Sequence, residues 1–357
     1  MTVAQDARRD SPAHGAPRAL ERVAPQRNNT PGMIEVIGDY FRELGERFGL
    51  AWNHFWFAPS DSLTLSVVRV LAGLIAFYTI LTYTPDLNLL LGADGLLADE
   101  GVRSLRGNYY SFSYLYWLDT PGRLWAGHLA GLAVLALFTL GLFTRVTSIL
   151  SVVVVLSYFH RSFVVTSEME PVLTFVMLYL CLGPSGAYLS LDRVLARRKA
   201  TAAESAATAV PVAKSSLSWS ATVATRLIQV HLTIVYVMML LAQLNETAWW
   251  DGTAMWWLIG RRESTVTDLT WLHAHPWAVN AWTHGFVLFE AAFIPLAWNR
   301  LTAPLVIAAS LPAWGSLAIV TGLVPLAVIM VTAGLAFIPA TGMRTLLGCC
   351  RLGRLVE

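Results

Sequence analysis

The chain reads as an all-α protein, a multi-pass transmembrane helical bundle of about eight spans with aromatic-rich outer loops packed as a cap. Three observations predict this. Hydrophobic residues make up 55% of the 357 residues and charged residues only 13%, against about 25% charged in an ordinary soluble domain. Apolar runs of roughly 20 residues, the length of helix that crosses a hydrocarbon core of about 30 Å, fill most of 63–341. Both lysines, Lys199 and Lys214, fall in one polar stretch, so the apolar runs hold none. Lipid gives backbone groups no partner, so each run must close its hydrogen bonds within a helix.

Residues 1–32 are rich in Arg, Pro, Ala and Asn, with nothing apolar to bury, and are expected to form a disordered cytoplasmic tail. Over 33–57, Ile34, Ile37, Phe41, Leu44 and Phe48 recur at helical spacing with Asp39, Arg42, Glu43 and Arg47 between them. That pattern predicts an amphipathic helix on a membrane surface. It ends in the rings of Trp52, Phe55, Trp56 and Phe57, suited to the headgroup level, and Pro59 stops it. A membrane domain then covers 58–341, with spans over 63–84, 122–143, 146–166, 171–190, 221–244, 278–298, 302–321 and 324–341. The second and third meet at Thr144-Arg145, which leaves room only for a tight hairpin. Between the fourth and fifth, 193–218 is Ala, Ser, Thr and Lys/Arg without large rings, the composition of a flexible cytoplasmic linker. Residues 342–357 form a second cytoplasmic tail.

Positive charge sets the orientation. Arg8, Arg9, Arg18, Arg22, Arg27, Arg42 and Arg47 precede the first span, and Arg344, Arg351 and Arg354 follow the last. Both termini are therefore expected in the cytoplasm, although Arg103, Arg106, Arg123, Arg261 and Arg262 fall on the far side. The two long outer segments, 85–121 and 245–277, carry Tyr109, Tyr110, Tyr114, Tyr116 and Trp117 in one and Trp249, Trp250, Trp256, Trp257, Trp271 and Trp277 in the other. Rings in such number form either an interfacial belt or the lid of a pocket.

Polar groups inside apolar runs are costly in lipid and mark either a wet site or helix-to-helix pairs. Arg69, His128, Glu168, Glu170 and Gln229 are among them, and His160, Arg226, His231 and Glu290 are the candidate cavity groups. They line a ligand site or proton path, or they fix packing through pairs such as Arg69 or Arg226 with Glu290. His273, His275, His284 and Glu290 have no spacing that fixes a coordination geometry, so no metal is expected. Cys181, Cys349 and Cys350 show no metal spacing either. The absence of a Gly-rich phosphate loop or a nucleic-acid patch argues against nucleotide or nucleic-acid partners.

Several motifs occur in order: Trp52-Asn53-His54-Phe55-Trp56-Phe57, Leu140-Gly141-Leu142-Phe143-Thr144-Arg145, Ser157-Tyr158-Phe159-His160-Arg161, Leu182-Gly183-Pro184-Ser185-Gly186, Arg226-Leu227-Ile228-Gln229-Val230-His231 and Trp249-Trp250-Asp251-Gly252. Taken together, over about 50–341, the chain resembles the horizontally transferred transmembrane (HTTM) domain family, which includes the membrane part of vitamin K-dependent gamma-carboxylase. The match is closest to stand-alone bacterial members. In the carboxylase an uncharged lysine serves as base toward the hydroquinone of vitamin K, and a histidine forms a second catalytic position. The resemblance places that base at Gln243, after Ile234-Val235-Tyr236, and the histidine at Ala187, before Tyr188. An amide does not accept the proton, and no nearby lysine restores the base. About 16 residues follow the last span, so the carboxylase's large luminal domain is not expected.

The resemblance thus implies a membrane protein without carboxylase activity. It binds a lipid, a quinone or a small hydrophobic ligand, or assists a membrane-protein partner. No cofactor is fixed; a quinone or lipid is the class that fits. A membrane enzyme using His160, His231 or Glu290 as acid or base, quinone-linked or carboxylase-like, and a transporter are the alternatives. A bacterial inner membrane is the expected location, with the aromatic cap in the periplasm.

Overall fold

The computed structural model describes residues 33–97, 99–106, 112–164, 168–204, 217–260, 267 and 269–349. The tail 1–32, Tyr109, Tyr110, linker residues 205–216 with Lys214, Arg261, Arg262 and residues 350–357 lie outside the described residues. The chain divides into two units, one ending at Ala51 and the other beginning at Trp52, within helix α1 (Met33–Phe57). In the first unit, α1 exposes Ile34, Ile37, Phe41 and Phe48. Its charges pair along the helix, Arg42 with Asp39 at 2.8 Å and Arg47 with Glu43 at 2.5 Å. The chain is helical throughout 33–57.

The second unit is a helical bundle. Strand β1 (Ser60–Asp61) leads into α2 (Leu63–Leu81), followed by the short α3 (Leu87–Leu91) and α4 (Asp99–Arg106) and a 3-10 turn over Tyr114–Trp117. Then come α5 (Pro121–Leu140), α6 (Thr144–Arg161), α7 (Met169–Leu182) and α8 (Leu191–Glu204). Strand β2 (Leu217–Ser218) precedes α9 (Trp219–Leu244), the short α10 (Thr247–Trp250) and α11 (Ala254–Ile259), and a 3-10 turn over Thr270–Ala274. The chain continues with α12 (Pro276–Leu296), α13 (Ala303–Thr321), α14 (Val324–Gly334) and α15 (Ala340–Cys349). Four of these, α2, α5, α9 and α13, are long and apolar enough to cross a membrane; α7 and α14 are shorter apolar helices.

Three expectations need correction. The run 171–190 stops being helical at Leu182, because Gly183-Pro184 breaks it and 183–190 turn back. The run 324–341 breaks after Gly334, passes through a 3-10 turn, and restarts beyond Pro339 as α15. The linker 193–218 is helical through Glu204, within α8, whose Leu191, Val194 and Leu195 are exposed, and Leu217–Ser218 pair with Ser60–Asp61.

Helix α2 is central: 72% of its apolar window is buried, against 28% for α9. It packs on α5, where a methyl on Gly73 would lie 2.5 Å from Thr139 Oγ1, so only a hydrogen lets the two backbones approach. Antiparallel pairing of Ser60 with Ser218 sets the starts of α2 and α9 side by side. The α5–α6 hairpin turns at the same end through Gly141 (φ 71°) and Phe143 (φ 48°). There the Asp192 carboxylate accepts the N–H groups of Phe143 and Thr144, both at 2.9 Å, and the Thr144 hydroxyl at 2.8 Å. It caps the otherwise unpaired first turn of α6. We call this the hairpin end, and the opposite one, carrying the segments 85–121 and 245–277, the loop end.

Candidate functional site at the loop end

At the loop end the second half of the bundle encloses a cavity of about 670 Å³ between the start of α7, the end of α9, and α12, α13 and α14. Trp249 of α10 and Leu258 of α11 line it, so the aromatic segment 245–277 forms part of its wall. That segment is held down by hydrogen bonds from Met255 N–H to Thr283 Oγ1 and from Asn280 Nδ2 to the Asp251 carbonyl. Its other rings divide away from the cavity: Trp250, Trp257, Trp271 and Trp277 are exposed, as an interfacial belt requires. The segment thus supplies part of the cavity wall together with a set of exposed rings.

Behind the lining residues Gln243 and Trp314, polar groups of three helices meet. Tyr236 and Gln243 lie seven residues apart on α9, hence on one face. The Tyr236 hydroxyl accepts from Trp314 Nε1 of α13 at 2.9 Å, and its ring stacks on Phe293 at 4.0 Å. Glu290 sits one turn deeper on α12 than Phe286, which lines the cavity. Its side chain is fully buried. Gln243, which lines the cavity, lies against Glu290, yet neither Glu290 oxygen nor Gln243 Oε1 makes a well-formed hydrogen bond. A buried acceptor left without a donor costs about 1–3 kcal/mol. Apart from Gln243, Glu168 at the start of α7 and Thr321 of α13, the walls are apolar and aromatic, and the volume suits a small ligand. A second cavity of about 600 Å³, with Tyr83 and Glu170 in its wall, lies across Leu323 and Leu326, which line both.

The remaining candidates are elsewhere. Nδ1 of His160 donates to the Phe112 carbonyl at 2.8 Å, and His231 pairs with the Tyr179 hydroxyl at 2.9 Å while stacking on Phe175 at 3.9 Å. Neither lines the cavity beside Gln243. Arg226 is at the hairpin end, bonded to Gln229 Oε1 at 2.9 Å with its guanidinium over the Phe55 ring. Arg69 donates to four backbone carbonyls, Phe138, Thr139, Ser185 and Leu189. The pairing of Arg69 or Arg226 with Glu290, expected as a packing device, is therefore replaced by bonds to carbonyls and to an amide. His128 is also satisfied, between Tyr158 at 2.6 Å and Thr84 at 2.9 Å. Beside it burial pushes the Tyr114 phenol up to about 12, with the Tyr158 hydroxyl acting in the opposite direction. Among the described residues no three His, Cys, Asp or Glu side chains converge as metal ligands.

The two positions that the family resemblance marks as catalytic do not meet. Gln243 is at the loop end, whereas Ala187 lines a hairpin-end cavity of about 630 Å³ together with Ser220 of α9. From Ser220 to Gln243 the helix rises roughly 35 Å, at about 1.5 Å per residue. Trp314, which lines the cavity, was legible only as an apolar-run aromatic, whereas Tyr236, hydrogen-bonded behind it, belongs to the Ile234-Val235-Tyr236 motif, and its seven-residue step to Gln243 puts the two on one face of α9. Comparison with protein-family models, with curated proteins and with solved structures found no match.

Proposed function

We propose that this is a multi-pass inner-membrane protein of about eight spans, kin to the HTTM and gamma-carboxylase-like proteins, that holds a hydrophobic ligand in its loop-end cavity without carboxylating it. The motif order from Trp52 to Gly252 supports the kinship. Helices α6, α7, α12 and α14 each overlap one of the remaining apolar runs and supply the additional crossings, although α7 and α14 end before their runs do. The arginine distribution puts both termini and the hairpin end in the cytoplasm and the cavity toward the periplasm.

One observation carries the binding reading: a largely apolar, aromatic-walled cavity at the loop end with the Gln243 amide in its wall, backed by the buried Glu290. Such a wall fits a ligand whose head carries a hydroxyl or N–H group, such as a quinol or a lipid alcohol, on an apolar body. Binding is favoured over acid–base catalysis because His160 and His231 are bonded away from this cavity and the base position is an amide.

Native mass spectrometry of the full chain in its own lipids tests this. The wild type should retain a hydrophobic molecule, and Gln243→Leu or Glu290→Leu, checked for unchanged thermal unfolding, should lose it by about tenfold, the effect of one well-placed hydrogen bond. Retention unaffected by both substitutions would overturn the reading.

A further inference from the structure

A second pocket, independent of the loop-end cavity, opens at the hairpin end between α9, the α12–α13 turn and the residues before α15, with a volume of about 250 Å³. Three charged side chains line it: Asp61, Arg226 and Arg300. The acid is already engaged. Asp61 Oδ1 accepts the Leu63 N–H at 3.0 Å, and Oδ2 accepts the Arg344 guanidinium and the Tyr188 hydroxyl. No carboxylate remains for the two arginines, and they lie close enough to repel each other. Among the described residues neither forms an ion pair.

Arg226 is held ready rather than left mobile. Gln229 accepts from its Nη1 at 2.9 Å and is itself fixed through Nε2 to the Ala336 carbonyl at 2.7 Å, while Phe55 packs on the guanidinium face at 4.4 Å. Among the described residues the remaining N–H groups of Arg226 and all those of the exposed Arg300 have no protein acceptor. Two like charges converging in a crevice whose one acid, Asp61, is already paired with Arg344 are costly unless an anion sits between them. Arginine also presents its donors in a planar fork matched to phosphate oxygens.

The surroundings indicate where that anion comes from. Trp298 lines the pocket and stacks near Phe55 at 5.9 Å, and rings of this kind settle at the headgroup level. Leu301 and Leu305, next to Arg300 in the turn and on α13, are 83% and 70% exposed. The pocket takes a phosphate but not acyl chains, and the adjacent leucines offer the chains an apolar surface. We infer that Arg226 and Arg300 form a binding site for a phosphate ester, the headgroup of an anionic membrane lipid or a free phosphate compound.

The test uses the full chain in nanodiscs containing phosphatidylglycerol and phosphatidylcholine in equal amounts, with lipid retained after extraction read by native mass spectrometry. The expected result is preferential retention of phosphatidylglycerol. Arg300→Gln should reduce it by at least about tenfold and Arg300→Lys should restore part of it. Arg300 is the residue to change because it is exposed, whereas Arg226 packs beneath Phe55 and its loss would disturb the fold. Displacement by millimolar inorganic phosphate supports a site that reads the phosphate alone, and retention in its presence supports one that requires the lipid. Equal retention of the two lipids, or retention unchanged by Arg300→Gln, overturns the proposal.

Discussion

Arg69 is buried near the hairpin end, where Asp192 acts on it through charge but no described carboxylate is bonded to it, and four carbonyls take that place. Phe138 and Thr139 lie in the last turn of α5, whose carbonyls have no intrahelical donors, and Ser185 and Leu189 belong to the turn after α7. Arg69→Met should therefore cost about 3–5 kcal/mol, because it strands several buried acceptors at once; an unfolding midpoint within error of the wild type would refute this role. From the sequence Arg69 was recognisable as expensive, but its partners were not. They are backbone atoms, exposed only because helices end at Leu140 and Leu182, and a search among side chains turns to Glu290 instead. Asp192 gives a pH-dependent counterpart at the hairpin turn. Burial disfavours its charge, but hydrogen bonds from Thr144 and Phe143 and the nearby Arg69 outweigh that and lower its pKa below 3.8. With the folded value depressed, its contribution is complete above the unfolded pKa and is lost as pH falls through the folded one. Unfolding temperatures taken from about pH 5 down to about pH 3 should fall less steeply in Asp192→Asn than in the wild type, and equal slopes would remove Asp192 from the account.

At the scale of elements, the apolar runs located the helices well because crossing length and hydrophobicity are read directly from composition. Their ends were less legible where Gly183-Pro184 and Gly334 with Pro339 cut the runs short, since an apolar residue in a buried turn looks the same as one in a helix. The α5–α6 hairpin shows how tightly such an end is specified. Gly141 has φ 71°, and a methyl there would lie 2.5 Å from Ser190 Cβ and 2.6 Å from Arg69 Nη1. Gly141→Ala should destabilise the protein by about 1–3 kcal/mol through both backbone strain and displacement of Arg69. A stability equal to that of the wild type would mean that the turn can relax. The candidate site shows a similar division. Glu290 and Gln243 stood out in sequence, one as a charge in an apolar run and the other through a motif resemblance, but their contact joins α12 to α9, and spacing within a chain does not reveal contacts between helices.

For the molecule as a whole, composition was enough to announce a helical membrane bundle, while the number of crossings depends on helices that carry polar groups. Helix α12 decides between the counts. If only α2, α5, α9 and α13 cross, Trp257 and Leu301 lie on the same side of the membrane; with α12 also crossing, they lie on opposite sides. Both side chains are well exposed. In a background lacking the native cysteines, Trp257→Cys should react with an impermeant thiol reagent from the periplasm and Leu301→Cys only after the cytoplasmic side is opened. Labelling of both from one side would exclude the crossing of α12. The cap on α6 also bears on how the protein is made. Asp192 follows Thr144 by 48 residues, so when the α5–α6 hairpin is first made its open amides await a carboxylate that the ribosome has not yet synthesised. Until α7 and the start of α8 have followed, the hairpin is an unfinished intermediate, its cap still to arrive.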